Sequence, residues 1–442
     1  MSKSSDVGKL NLEGLMSRAE ILFTVGYQFR GKPDIHRLRH SYETITGAIT
    51  KLFHQIDFRA QNDFSWRSFN DYGDRFHVFQ AEDIVAKLKE LSADGFALRK
   101  ASHQFPLQLA VILSTQDDRF YLAEICSHEF VDARSAETIF HLIIDHYNAQ
   151  QFEDQAAAAE ALKTAQSLHT LDARAMIDLV KRHDYKEEEN LAELAACPLS
   201  DDGGHGVRIA TLPALLPEFA QRRRLPVGCV ADASRMIAKC REVHPEVTKN
   251  AVVTAVLHKA LYNINVHHKH RPPRQTISGK MVSDILTPGL REQYIGNYIA
   301  FVPLSTEGEQ PIEQQAKAIH DRIVDFRNRQ INLTCFDLVE QAAEQNVVGT
   351  ADDELSYVIT NWNNYRFLSS RSFLAGCESL AMHSAVNVAP LDAGGAALIN
   401  RAIVVINLNF NDELCFSMFP SLRDDDENRR LVAEVERLLR EA

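Results

Sequence analysis

The stretch RFYLAEICSHEFVDARS, Arg119–Ser135, runs apolar as far as Cys126 and then places His128 four residues before Asp132. An imidazole has an unperturbed pKa of about 6.5, so a histidine held at a strand end accepts a proton near neutrality and serves as a general base. An aspartate four residues on can fold back over the turn, holding the loop by accepting backbone N–H bonds or by pairing with a cation. The same spacing fits a hydrogen-bonded structural histidine with a capping aspartate, and H-x-x-x-D alone does not separate the two. His128-Glu129 also invites comparison with H-E-x-x-H zinc hydrolases, which set two ligands on one helical face. Here the fifth residue is Asp132 and the histidine follows a strand, so metal ligation fits poorly.

Other reactive residue types carry less. His267-His268-Lys269-His270, ahead of Arg271-Pro272-Pro273, reads as a solvated connection that offers a docking patch. His141 and His146 fall within an amphipathic helical pattern, where hydrogen-bonded structural roles are expected. The seven cysteines are scattered and contain no C-x-x-C pair, which supports neither a disulfide framework nor a structural zinc site. No G-x-x-x-x-G-K-[ST] or G-x-G-x-x-G sequence is present, so nucleotide-phosphate chemistry has no support. The formal charge of −12 argues against nucleic acid or anionic lipid as a partner, although Arg222-Arg223-Arg224 offers a local basic patch for an acidic one. The polar start MSKSSDVGKLNLEG, with no later run of about 18 apolar residues, predicts a soluble cytoplasmic protein without a membrane partner.

The elements that must position His128 are readable around it. Residues 20–29, EILFTVGYQF, predict a strand, and Ile35, Leu38, Tyr42, Ile45, Ile49 and Leu52 a helix after Pro33. Leu107–Leu113 and Phe120–Cys126 form a hairpin across Thr115-Gln116-Asp117-Asp118. Ile139, Phe140, Ile143, Ile144 and Tyr147 define an amphipathic helix with Ser135 as its cap. The opening stretch therefore lies between a strand and a helix. Further on, Thr248–Tyr262 predicts a helix, and Tyr298–Leu304, Leu355–Trp362 and Ala402–Phe410 predict strands. Arg401–Phe419 reads as a hairpin about Asn411-Asp412-Glu413, and a charged helix closes the chain from about Asp426. SDDGGHG, ending at Gly206, marks a boundary with Gly203-Gly204 as linker. The order of elements in each half predicts two related α/β lobes, residues 1–190 and 207–442, joined by a linker at 191–206.

CSHEFVDARS, Cys126–Ser135, resembles the H-H-x-x-x-D-G motif of the condensation-domain and coenzyme-A-dependent acyltransferase superfamily. FRGKPDIHRLRHSYETITGAITKL from Phe29 is similar to the family's first strand and helix, and DGFALRKASHQFPLQLAVIL from Asp94 to the segment leading into the motif. YIGNYIAFVPL from Tyr294 resembles its G-x-F-V-N-x-x-P-L segment, and YVITNWNNYRF from Tyr357 a strand that brings polar side chains to the reaction channel. Two positions depart from the motif: Ser127 stands in place of its first histidine and Ala133 in place of its glycine.

The resemblance implies an α/β fold of two chloramphenicol-acetyltransferase-like lobes, arranged as a V-shaped pseudo-dimer around a central tunnel, in a monomeric free-standing enzyme. It implies that His128 is the catalytic base and that Asp132 is structural, bridged to a cation for which Lys280 and Arg291 are the candidates. Ser127, Asn361 and Trp362 are expected in the substrate channel, with Asn297 near it by analogy. No bound cofactor is implied. The donor would be a phosphopantetheine thioester on an acyl or peptidyl carrier protein, with coenzyme A as the alternative. The acceptor would be a small-molecule alcohol or amine, in nonribosomal-peptide or polyketide secondary metabolism such as antibiotic biosynthesis. A coenzyme-A-dependent alcohol O-acyltransferase and a non-catalytic scaffold that keeps the tunnel are the alternatives.

Overall fold

The computed structural model describes residues 7–59, 63–197, 207–222, 224–267, 275–345, 347, 356–422 and 425–442. Its strands, in chain order, are β1 (Ile21–Arg30), β2 (His54–Phe58), β3 (Phe64–Ser68), β4 (Phe76–Ala81), β5 (Leu107–Ser114), β6 (Arg119–Ser127), β7 (Val227–Asp232), β8 (Thr276–Asp284), β9 (Ile299–Glu307), β10 (Tyr357–Asn361), β11 (Glu378–Val388), β12 (Ala402–Leu408) and β13 (Glu413–Met418). They form a five-stranded sheet, β11-β1-β6-β5-β4, a six-stranded sheet, β7-β13-β12-β10-β8-β9, and a separate β2-β3 ribbon.

β1 lacks polar alternation because both its faces are covered, and every residue in it except Arg30 is buried. On one face the helices Ile35–Ala48 and Ala133–Gln151 supply Leu38, Tyr42, Ile139 and Phe140, with the Phe140 ring stacked on Tyr27 at 4.0 Å. On the other the Ile84–Ala101 helix sets Ile84, Leu88 and Leu91 against Ala110, Ile112, Tyr121 and Ala123. β5 and β6 form the expected antiparallel hairpin, Leu107 opposite Cys126 and Leu113 opposite Phe120. The central position of β1 and β6 makes the end of β6 a rigid mount.

β11, from the second half of the chain, completes the first sheet by pairing antiparallel with β1 from Ile21–Val388 to Arg30–Glu378. The second sheet holds β10 between β12 and β8, parallel to both, and β12 and β13 form the hairpin expected over Arg401–Phe419. The helices Lys249–His267 and Asp426–Arg440 lie where the sequence placed helices.

Other expectations fall differently. The Ala133–Gln151 helix is capped by Asp132, whose side chain accepts from the Ser135 N–H, so Ser135 is its third residue rather than its cap. Residues 191–196 of the expected linker continue a helix, Glu187–Ala196, while the rest of it that follows Cys197, with Gly203-Gly204, lies outside the described residues, as do His268–His270 and Arg223. Arg222 and Arg224 do not form an open basic patch: both lie over the Phe219 ring, and their guanidinium groups donate to the Ser421 and Val388 carbonyls. Among the described residues no helix is long and apolar enough to cross a membrane.

Candidate active site

β6 ends at Ser127, and the turn beyond it is pinned at nearly every residue. The His128 N–H donates to the Ile21 carbonyl of β1 at 2.9 Å. Glu129 pairs with Arg99, Phe130 and Val131 are buried in the core, and the Trp66 ring lies 5.2 Å from Phe130. With the backbone held in this way, the ring direction of His128 is decided by its side-chain contacts.

Asn297 grips His128 at two points. Its amide N–H donates to the His128 carbonyl at 2.7 Å, and its Oδ1 faces His128 Nδ1 at 2.9 Å. A carbonyl only accepts, so the nitrogen end of the amide must lie there and the oxygen end must face the ring. Nδ1 therefore carries the proton and Nε2 the free lone pair. Burial lowers the His128 pKa, opposed by the Asp132 charge and the Asn297 bond, so the imidazole is neutral at pH 7. The residue before Asn297 is Gly296, at φ +152° with the Tyr298 ring and Leu10 close to where a Cβ would sit, which calls for glycine here.

Asp132 is saturated. Its Oδ2 accepts from Arg291 Nη2 at 2.9 Å and from the Tyr298 N–H at 3.1 Å; its Oδ1 accepts from Arg291 Nη1 at 3.2 Å and from the Ser135 N–H at 2.7 Å. Both modes of holding the loop open to an aspartate here, backbone acceptance and cation pairing, are thus used at once. The cation is Arg291 and not Lys280, which lines the cavity described below. Arg291 also holds Asp284, and burial raises the Asp284 pKa against the pull of that guanidinium. Burial works against the Arg291 charge, but the two carboxylates outweigh it and raise its pKa. The Ser135 hydroxyl donates to the Gly296 carbonyl and accepts from the Gly296 N–H and Arg291, tying the His128 turn to the Asn297 turn.

His128 opens onto a cavity of about 440 Å³, within the usual range for small-molecule sites. Ile21 and Phe23 of β1 form one wall and residues of β8, β9 and β10 another, so both sheets contribute. Asn361 and Trp362 line it. Trp362 stacks on Tyr365 at 6.1 Å and meets Phe23 edge-on at 5.7 Å, while Phe23 meets the His128 ring at 5.3 Å. Asn361 Oδ1 accepts from the Asn363 N–H, and its Nδ2 is buried without a hydrogen-bond partner among the described residues. Ser127 is buried and does not line the cavity, because consecutive side chains at the end of β6 turn to opposite faces. His146 bonds Ser41, and His141 packs edge-on to Phe373, where burial lowers its pKa to about 3. Among the described residues no cluster of His, Cys, Asp and Glu is arranged to hold a metal ion.

Two residues beside this site carried almost no sequence signal. Glu13 and Lys51 form a fully buried ion pair at 2.5 Å; the only hint is a carboxylate inside the apolar helical segment LNLEGLM.

No family model matches the sequence, and no curated protein resembles it closely enough to count as a relative. Solved structures do match its fold. Trichothecene 15-O-acetyltransferase from Fusarium sporotrichioides aligns with a TM-score of 0.65 at 10% identity, covering 98% of this chain and 94% of that one. The first condensation domain of the calcium-dependent antibiotic synthetase aligns at 0.63 and 10%, covering 98% and 96%. The starter condensation domain of rhizomide synthetase, in complex with C8-CoA, aligns at 0.59 and 11%, covering 96% and 90%. The chain shares the α/β fold of these acetyltransferase and condensation-domain structures.

Proposed function

We propose that the protein is an acyltransferase in which His128 is the general base. The observation that carries this reading is a neutral imidazole, with its Nε2 lone pair set by Asn297, at a cavity walled by both sheets of an acyltransferase-type fold. The donor is an acyl thioester of phosphopantetheine, on a carrier protein or on coenzyme A, and the acceptor a small alcohol or amine in secondary metabolism. Nε2 takes the proton from the acceptor as its oxygen or nitrogen attacks the thioester carbonyl. The new C–O or C–N bond forms, the C–S bond breaks, and the imidazolium returns the proton to the departing thiolate. Asp132 is structural in this scheme, since all of its hydrogen-bonding goes to Arg291, Ser135 and Tyr298. In this reading the Asn361 amide and the Trp362 ring, both of which line the cavity, contact the substrate.

His128→Ala tests the reading, with one acyl group presented both on a carrier protein and on coenzyme A. General-base loss is expected to lower turnover by about 10²–10⁴-fold with either donor. An unchanged product yield would leave His128 without the assigned role, and equal rates from the two donors in the unmodified protein would remove any carrier-protein preference.

A further inference from the structure

We propose that the cavity beside His128 ends in a blind apolar pocket that holds an aliphatic chain, either the tail of the transferred acyl group or that of the acceptor. What the chain belongs to rests on the acyl-transfer reading; the shape and chemistry of the pocket do not.

The two sheets set the walls of the cavity in order. In the first, Phe23 of β1, whose ring meets His128, lies directly opposite Val386 of β11. In the second, Lys280 of β8, Val358 of β10 and Ile403 of β12 form one register row. β11 adjoins β12 through side chains: Asn407 Nδ2 donates to the Met382 carbonyl, and the Ser384 hydroxyl donates to Asn407 Oδ1. Away from His128 and towards this seam, the lining is therefore Phe23, Val386 and Ile403. Met16 of the Asn11–Ala19 helix, Ala397 of the Ala393–Leu398 helix and Phe419, whose N–H donates to the Ile403 carbonyl, close it.

None of these six residues is more than 8% exposed, and all belong to one continuous hydrophobic cluster. The other side of the cavity differs. There Leu338 and Val347 are 41% and 51% exposed and Arg327 is exposed, so the opening to solvent lies on that side. The charged lining groups keep away from the closed end. Asp132 and Arg134 sit at the His128 turn, Lys280 and Asp284 on β8, and Arg327 on the Ile312–Asn328 helix. Among the described lining residues the one charge that adjoins the apolar end is Arg401, partly buried, with its Nε and Nη2 on Asn400 Oδ1.

A water molecule held in a cavity needs about two to four polar partners, which these six side chains do not supply. An ionised group placed among them would lose its hydration without gaining a partner. Hydrocarbon is the chemistry that the closed end accepts without cost, and each methylene buried there contributes about fourfold to binding. The pocket thus favours an aliphatic substrate over one whose far end carries a charge.

The experiment presents the full chain with S-acyl pantetheines from acetyl to dodecanoyl, the arm common to carrier proteins and coenzyme A, and separately with straight-chain alkanols of rising length as acceptors. Binding is read by isothermal titration calorimetry and transfer by kcat/KM. In one of the two series each added methylene is expected to tighten binding and raise kcat/KM about fourfold, until the pocket is full and both level off. A rise with the thioesters assigns the pocket to the acyl group and a rise with the alkanols to the acceptor. A flat response in both overturns the proposal. Ala397→Phe, and Val386→Phe from the β11 wall, fill the closed end, so the levelling-off should come at a shorter chain; a folded variant with an unshifted plateau overturns the placement. Should neither variant fold, the unmodified series decides alone. Chain-dependent binding with no transfer of any acyl group would count against the acyl-transfer reading and leave the pocket standing, whereas transfer at one rate for every length would do the reverse.

Discussion

Asp132→Asn isolates one charge in the site without changing its shape. The substitution leaves Arg291 facing an amide in place of a carboxylate that receives both its Nη groups, in a setting where Asp132 is 2% exposed. Breaking a buried ion pair by removing one partner costs about 3–5 kcal/mol, because the remaining charge is stranded. Here Arg291 keeps Asp284, which it meets through Nε at 2.8 Å and Nη2 at 2.5 Å, so the lower end applies. Asparagine still caps the helix by accepting from Ser135, and that contribution survives. A loss of about 3 kcal/mol is therefore expected for Asp132→Asn, rising by about 1 kcal/mol more for Asp132→Ala as the cap goes too. Urea denaturation followed by tryptophan fluorescence reads this directly, since Trp66 packs on Phe130 of the His128 turn and Trp362 lies against Phe23. A double-mutant cycle with Arg291→Met should give strong coupling between the two positions. A destabilisation of Asp132→Asn below about 1 kcal/mol, with no coupling, would refute the view that this pair ties the His128 turn to the rest of the site.

Two further outcomes follow from the same geometry. Asn361→Ala removes an amide whose Nδ2 is without a hydrogen-bond partner among the described residues; if that Nδ2 meets the oxygen that becomes negative during acyl transfer, kcat falls by about 10²–10³-fold, and an unchanged kcat removes Asn361 from the chemistry. Stability against pH should show two opposed trends. Burial lowers the pKa of His141 and His258 to about 3, so each costs stability as pH falls below 6.5, by about 1.4 kcal/mol per pH unit. Burial raises the Glu340 pKa to about 7, so it contributes in the opposite sense between pH 7 and 4.5 and stops doing so below. The urea midpoint should therefore fall more steeply below pH 4.5 than above it, and a midpoint that rises there would contradict these assignments.

What could be read from the sequence was what is local. β1, the β5–β6 hairpin, the helices after Pro33 and before Gln151, and the β12–β13 hairpin each advertise themselves within a dozen or so residues, through periodicity and turn chemistry. His128 and Asp132 were legible because motif and strand end coincide. Contacts that depend on how distant segments meet were not. Lys280 and Arg291 looked equivalent as cations; the difference is that Lys280 lies within β8, opposite Pro303, while Arg291 closes the short Pro288–Arg291 helix against Asp284. Asp132 and Ser135 are both plausible caps, and only the Asp132 side chain reaching back to the Ser135 N–H separates them. Glu13 and Lys51 resemble ordinary surface charges until burial is known.

The pairing of β11 with β1 makes the first sheet a late event in synthesis. Arg30 leaves the ribosome long before its opposite residue, Glu378, exists. At ordinary elongation rates of about 5–20 residues per second, that interval is on the order of tens of seconds. Throughout it, one margin of β1 shows bare N–H and C=O groups beside apolar side chains, the kind of surface on which chains adhere to one another. A fragment ending before β11 would carry that margin permanently, so truncation after the first half should yield aggregate in place of a separable unit.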